Sequence, residues 1–499
     1  MQPADPNLEM DFTLESEKSG VVEEPPFNLL VLGDWSGAAT KKALDSRRPI
    51  EIDRDNFDDV MNGLGVRLDL ELEAGRVELE FNSLEDFHPD ELYRKIPMFG
   101  ELRDLRKRLR NPDTFNSAAR EVREWSAAPE SEPAASDVTS EPETPSSEGL
   151  LDAILSKPEG GGNTPKGAVS LGISNLVNEI VRPHLVRVDE NDQSAMLYAV
   201  DEAVSALMRS LLHDRHFQQL EAAWRGLFFL VRRTDTDSDL KIYLLDVTKE
   251  ELMSDMKSES PSGSAILKLL STGPGGDPWA AWIGNFAFES EIDDVAALIR
   301  LAKAGAASRT PFISHIRPDL LGVASLADHP DPGEWDLSGA SDAGKLWAAL
   351  RGLQESRFLG LVMPRFLARL PYGSETEPTE AFSFEEFTEG FGHDDYLWAN
   401  SSFIVGQLLG QTFTDNGWQF GNEFHQDAEG LPLHLFKNDG ETVYQSCAEV
   451  QLNQAAAERL TEYGIMPVVS FKNMDRVRLV RFQSVSDPVY VLQGRWRVG

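Results

Sequence analysis

Phe27-Asn28-Leu29-Leu30-Val31-Leu32-Gly33-Asp34 is a short apolar run closed by a turn, which reads as a buried strand. Upstream, residues 1–26 are acidic with few large apolar side chains, so they are expected to form an arm that orders only against a partner. Downstream, Ile50 and Ile52 alternate with charged residues, and Asn56-Phe57-Asp58-Asp59-Val60-Met61 begins a helical pattern. Val66, Leu68 and Leu70, then Val77, Leu79 and Phe81, recur at every second residue, as a sheet with one wet face requires. Residues 27–125 are therefore expected to form a small α+β domain.

From Ser126 to Glu148 the chain is rich in Pro, Ser, Ala and Glu and contains no Lys or Arg. Such a stretch buries too little surface to offset its ordering entropy and reads as a flexible tether. The segment 149–169 follows, with an apolar island, Leu150-Leu151-Asp152-Ala153-Ile154-Leu155, ahead of a Gly-rich spacer. A second region, 170–499, then opens on two helical stripes, Leu197 to Leu211 and Phe217 to Val231, at spacings of three and four. Leu240 to Val247 alternates like a strand, and Thr248 with Glu251 spells a capping box for the next helix. Ala280 to Phe286 and Phe358 to Met363 are strand-like, and Ile292 to Ala306 is helical. Helix, strand, helix in that order predicts mixed α/β layers of α+β class, with two subdomains in this region.

The 499 residues exceed what one core usually serves, so two to three domains are expected. A formal charge of −36 repels phosphate backbones and anionic lipid, which speaks against nucleic-acid binding. The basic run Arg103, Arg106, Lys107, Arg108 and Arg110 reads instead as the polar face of a helix carrying Leu102, Leu105 and Leu109. Cys447 is the single cysteine, so no intrachain disulfide is possible and a reducing compartment fits. The N-terminus lacks a basic n-region and an apolar h-region, and no apolar run is long enough to span a bilayer. A cytoplasmic location without membrane insertion is expected.

Catalytic signals are weak. Gly33-Asp34-Trp35-Ser36-Gly37 follows a strand but matches neither a phosphate-cradling loop nor a nucleophile elbow. An α/β enzyme with a site near Gly33 and Asp34 is the rival from another class. Asp235, Asp237 and Asp239 have the odd spacing of a calcium loop, yet Leu240 stands where that loop needs Gly and Asp246 where it needs Glu. They read as a solvated connection. The nine histidines form no helical ligand pair with an accompanying carboxylate, so no metal, cofactor or catalytic residue is assigned and an enzyme is not expected.

Longer words carry more. Phe27 to Asp34, Arg48-Pro49-Ile50-Glu51-Ile52-Asp53-Arg54-Asp55-Asn56-Phe57 and Leu79-Glu80-Phe81 through Phe87 to Leu92 resemble the small sheath subunit of type VI secretion systems, the TssB (VipA-like) family. Phe217 through Trp224-Arg225-Gly226-Leu227, Leu240 to Val247, Pro278 to Gly284 and Arg357 to Leu361 resemble the large subunit, the TssC (VipB-like) family. Met363-Pro364-Arg365-Phe366-Leu367-Ala368-Arg369-Leu370-Pro371-Tyr372-Gly373 is the most specific word, supported by Tyr396 to Asn400, Glu429 to Pro432 and Lys472-Asn473.

The resemblance implies a fusion of two sheath subunits that assembles helically around an inner tube, and Asp34, Pro49, Phe57, Phe81, Phe87, Trp224, Arg225, Gly226, Pro364, Arg365, Phe366, Pro371, Tyr372 and Gly373 as structural positions. It also implies self-association or pairing with other sheath subunits, an inner-tube (Hcp-like) and baseplate partners, and a ClpV-like AAA+ unfoldase gripping Leu150, Leu151, Ile154 and Leu155. Tethering raises the effective concentration of partners that always pair. The large-subunit part is expected to be shortened at its C-terminus, with Pro488 to Trp496 able to supply one strand. An accessory or capping protein, docking on a sheath or baseplate without propagating the lattice, is the alternative within this class.

Overall fold

The computed structural model describes residues 24–72, 75–126, 193–257, 263–420, 424–438 and 440–497. The arm before residue 24, the tether from 127 to 148, and the segment 149–169 with Leu150, Leu151, Ile154 and Leu155 lie outside the described residues.

In the first region the chain runs β1 (Phe27–Gly33), β2 (Ile50–Ile52), α1 (Phe57–Leu64), β3 (Val66–Leu72), β4 (Gly75–Phe81), α2 (Pro89–Lys95), α3 (Gly100–Arg110) and α4 (Phe115–Ser126). It resumes with α5 (Gln193–Leu212), α6 (Arg215–Arg232), β5 (Leu240–Asp246), α7 (Lys249–Met256), α8 (Ala265–Ser271), β6 (Trp279–Phe288), α9 (Ile292–Ser308), β7 (Phe312–Ile316), α10 (Asp342–Arg351) and β8 (Leu359–Met363). The last part holds β9 (Phe366–Leu367), β10 (Trp398–Ala399), α11 (Ser402–Asn416), β11 (Asp427–Ala428), β12 (His434–Asn438), β13 (Glu441–Gln445), α12 (Gln454–Glu462), β14 (Ile465–Ser470) and β15 (Val477–Leu479). The mixture is α+β, as its patterning predicts.

A nine-stranded sheet organises the molecule, in the order β11-β15-β14-β8-β7-β6-β1-β5-β2. Its six central strands, β14 through β5, pair in parallel, while β15 and β11 at one edge and β2 at the other run antiparallel to their neighbours. β1 is buried along its whole length. Because successive strand side chains point to opposite faces, Phe27, Leu29 and Val31 join one core and Leu30 and Leu32 the other. The first core holds α3 to α6, α11 and the β3–β4 hairpin, and the second holds α7 to α10 and α12. Each fully buried leucine of β1 contributes roughly 2 kcal/mol of transfer free energy.

The strands of the first region do not form one sheet of their own. β1 pairs residue for residue with β5, from Phe27 opposite Leu240 to Gly33 opposite Asp246, and with β6 on its other side. β2 also joins β5, while β3 and β4 pair only with each other. The reason is hydrogen bonding: a strand buried on both faces needs ladder partners on both edges, since an unpaired buried backbone group costs as much as a lost hydrogen bond. The second region supplies both.

Local signals place the helices that matter next. Asp214 caps α6 by accepting from the N–H groups of His216 and Phe217 at 2.8 and 3.1 Å. Thr248 and Glu251 form the expected capping box of α7. Leu102, Leu105 and Leu109 of α3 are buried and Lys107 and Arg110 face outward, whereas Arg106 of the same basic run turns in towards Asp201 of α5. The tail differs from expectation: Pro488 to Trp496 form no strand. Its backbone is engaged elsewhere, with the Gln493 N–H donating to the Arg357 carbonyl and Tyr490 O accepting from the Ser484 N–H. Trp496 stacks on Phe420 with ring centroids 5.0 Å apart.

Candidate functional site

The positions singled out in the two regions converge on one helix, α6. Phe217, Leu220, Glu221 and Trp224 recur at spacings of three and four, so they share its inward face. From the first region, Phe81 and Phe87 stack at 4.1 Å and both set their edges against Phe217. Phe57 packs edge-on against Trp224 at 5.6 Å and Phe228 at 5.3 Å. Trp224 also meets the ring of Trp35, and its indole N–H donates to the Trp35 carbonyl at 3.0 Å. Aromatic pairs of this kind add about 0.5–1.5 kcal/mol each beyond their buried area. The seam between the regions is thus a core rather than a docking surface.

Polar bonds lock the same seam at its rim. The Asp246 carboxylate accepts from the Trp35 N–H, the Ser36 N–H and the Ser36 hydroxyl at 2.8, 3.2 and 2.6 Å. Arg47 grips Glu251 through both guanidinium nitrogens at 2.8 and 2.6 Å and also donates to the Asp246 carbonyl. That fork holds the Glu251 carboxyl below its usual range and outweighs partial burial, which acts the other way. Arg106 reaches Asp201 in a second fork, at 2.5 and 3.1 Å. The turn after β1 therefore cradles a carboxylate of the chain itself. Asp34, the residue of the rival enzyme reading, is occupied by Lys41 at 2.8 Å and by the Gly37 N–H.

The word at 363–373 meets α6 through Glu221 and Arg225. Glu221 is fully buried and its Oε1 accepts from Nε of Arg225 at 2.7 Å and Nε of Arg369 at 2.8 Å. Arg369 also pairs with the buried Glu386 at 2.7 Å, and Arg225 donates to the Tyr372 hydroxyl at 2.9 Å. Burial alone would raise the Glu386 carboxyl, but Arg369, His213 and the Tyr372 N–H together bring it down to about 2. Burial drives the Tyr372 hydroxyl upward against the opposing pull of Arg225 and Arg369. His213 extends the network, with Nε2 3.3 Å from Glu386 and Nδ1 3.2 Å from Asp395. Tyr372 closes the circle by touching the first region, edge-on to His88 at 5.0 Å.

The remaining positions are structural neighbours of these. Arg365 forks onto Glu449 at 3.0 and 2.6 Å, and Phe366 lies in β9 against Phe229. Pro364 follows a cis peptide bond and its carbonyl accepts from the Ser401 hydroxyl at 2.5 Å. Pro371 is buried and its carbonyl accepts from Thr376, while Pro49 is half-buried just ahead of β2. Gly226 and Gly373 mark close approaches: a Cβ would fall 2.4 Å from the Phe403 ring at the first and 2.3 Å from Glu385 Oε2 at the second.

Sequence reasoning missed Trp35, Asp246, Glu221, Glu386 and Glu449. One signal was available for Glu221, a charge set within the apolar stripe of α6 that demands a buried partner. For Glu449 there was none, because its partner Arg365 is 84 residues away. Among the described residues no group of His, Cys, Asp and Glu is placed to hold a metal. Asp237 instead accepts from the N–H groups of Asp239 and Leu240, turning the chain into β5. No described helix is long and apolar enough to cross a membrane.

Residues 194–486 match the family model of VipB, described as EvpB/VC_A0108, tail sheath N-terminal domain. Residues 3–124 match a second, described as type VI secretion system, VipA, VC_A0107 or Hcp2. The chain is also similar to the type VI secretion system sheath protein TssC1 of Pseudomonas aeruginosa, 35% identical over 305 residues. That match covers 59% of this chain and 61% of the relative.

Proposed function

We propose that this chain, which belongs to the VipB tail-sheath family, is a structural component of a type VI secretion contractile sheath, built as one protomer from a VipA-like and a VipB-like region. One observation carries the reading: β1 of the region that matches VipA lies between β5 and β6 of the region that matches VipB. Two regions sharing a parallel sheet cannot part without exposing a row of backbone donors and acceptors. In this reading residues 27–125 and 170–499 are two subunit-like halves that act by assembly rather than catalysis. The family-motif positions around α6 serve to hold those halves together.

Assembly into a helical lattice needs heterologous contacts that do not close on themselves. Copies of this chain and other sheath subunits are the partners the reading names first. An inner-tube protein, a baseplate protein and a ClpV-like unfoldase acting on Leu151 and Ile154 follow from the same reading, as does a cytoplasmic location. Negative-stain imaging of the purified protein, alone and mixed with the inner-tube protein, tests it. Tubes or stacked rings are expected, and particles that stay small under both conditions sink the lattice-forming role in favour of the accessory one.

A further inference from the structure

Beside the seam, the C-terminal ends of the parallel strands open into a cavity of about 700 Å³. The strand order β5-β1-β6-β7-β8 reverses its direction of growth between β1 and β6. Doubly wound sheets hold ligands at that switch, outside the carboxyl ends of the strands. The volume is that of a small-molecule site.

Two helix starts border the cavity, Arg215 and His216 of α6 and Lys249 and Glu250 of α7. Asp214 satisfies His216 and Phe217, and Thr248 satisfies Glu251, so the N–H groups of Arg215, Lys249 and Glu250 stay unclaimed among the described residues. Helix starts favour anions through these groups and the helix dipole. Lys249, Arg317 and Arg365 are each neutralised by a carboxylate, which leaves Arg215 as the guanidinium and Glu250 as the carboxylate of the lining with no ion-pair partner among the described residues.

His315 supplies an independent pointer. It is only 4% exposed and lines the cavity. Its Nδ1 lies 3.0 Å from the Val362 carbonyl, and a carbonyl can only accept, so that nitrogen carries the proton. Burial, aided by Arg365, pushes the imidazole down to about 4, so the ring is neutral. Nε2 is left as an acceptor with no protein donor among the described residues, facing the cavity where the O–H or N–H of a ligand can reach it. The usual anion seat of such a sheet, the turn after the first strand, is already filled by Asp246. An incoming anion is directed to the starts of α6 and α7 instead.

We propose that this cavity binds a small phosphomonoester that also carries a hydroxyl or N–H donor, such as a sugar phosphate or nucleoside monophosphate, with the phosphate at the two helix starts beside Arg215 and the donor on Nε2 of His315. The site is a binding site only and goes beyond the assembly role. Isothermal titration of the full chain with ribose 5-phosphate, AMP and inorganic phosphate tests it. At least one of the two organic phosphates should bind about tenfold or more tightly than inorganic phosphate, and Arg215→Ala should weaken it about tenfold, the loss of one charge-assisted contact. Arg215 is exposed, so this variant leaves the fold intact. His315→Leu, checked for an unchanged circular dichroism spectrum, should bring the organic phosphates down to the level of inorganic phosphate. Absence of heat with both organic probes, binding that ignores Arg215→Ala, or inorganic phosphate binding as tightly as either ester overturns the proposal.

Discussion

Glu221→Gln isolates the worth of the buried network on α6. The substitution keeps side-chain volume and one acceptor oxygen, so packing is conserved and the charge is what changes. In the native protein Arg225 and Arg369 face Glu221 and Glu386, a balance of two positive and two negative groups. Glu221 is fully buried and Arg369 is 6% exposed, so solvent screens neither. Glutamine leaves two guanidiniums, buried Arg369 and partly buried Arg225, to one carboxylate and exchanges two short charge-assisted bonds for weaker neutral ones. Breaking a buried pair from one side costs about 3–5 kcal/mol because the remaining charge has nowhere to go. Removing Glu221 and Arg369 together, as Glu221→Met with Arg369→Met, restores neutrality through Arg225 and Glu386. The double variant should therefore be less unstable than the sum of its parts by about 2 kcal/mol, within the usual range for directly coupled groups. Urea unfolding followed by tryptophan fluorescence reads both numbers, since Trp35 and Trp224 sit at the seam. A loss below about 1 kcal/mol for Glu221→Gln, or strict additivity in the cycle, would refute the argument that charge balance governs this network.

Other predictions read different parts of the same frame. His315 titrates near 6.5 unfolded and about 4 folded, so its contribution is fully present above pH 6.5, is lost as pH falls towards 4, and amounts to roughly 3 kcal/mol. The stability difference between the parent and His315→Gln should shrink across that window, and a difference independent of pH would count against it. Glu386, depressed to about 2, adds a second loss only below its unfolded value of 4.5. Gly226→Ala drives a methyl into the Phe403 ring and should cost about 1–3 kcal/mol by overpacking, visible as a lower melting temperature. Asp246→Ala strands the N–H groups of Trp35 and Ser36 and should cost about 2–4 kcal/mol, with Asp246→Asn recovering part of it. A fragment of residues 24–126, lacking both neighbours of β1, should show no cooperative unfolding transition, whereas a cooperative one would mean the first region folds alone.

Much of this frame is written locally. The alternation at Val66 to Leu70 and at Val77 to Phe81 gives the β3–β4 hairpin, the stripe from Phe217 to Val231 gives α6, and Thr248 with Glu251 gives the cap of α7. Local pattern shows that Phe27 to Gly33 is buried, but it says nothing about which strands lie beside it. That choice is made by partners more than 200 residues away, and only the pairing with β5 and β6 reveals it. The resemblance to sheath subunits picks out Phe57, Phe81, Phe87, Trp224, Arg225 and Tyr372, and the structure brings those six to one helix. Asp246, Glu386 and Glu449 stay invisible because an acidic residue before a turn reads as solvated until its partner is known. The tail misleads for a related reason: Pro488 to Trp496 carries strand-like residues, yet Arg357 and Phe420 claim its backbone and its indole first.

The position of α6 bears on how a sheath built from this chain would move. From Phe217 to Phe228 the helix carries the aromatic cluster of the first region, and between those rings Glu221 and Arg225 reach the 363–373 word. The same two regions are also joined edge to edge through β1, which pairs with β5 along seven residues and with β6 along five; sliding β1 by one residue would send Leu30 and Leu32 to the wrong core. A register shift inside the protomer is therefore costly, because it would misplace every side chain of β1 at once. In the proposed assembly the two family halves move as one body, and contraction is a rearrangement of contacts between chains.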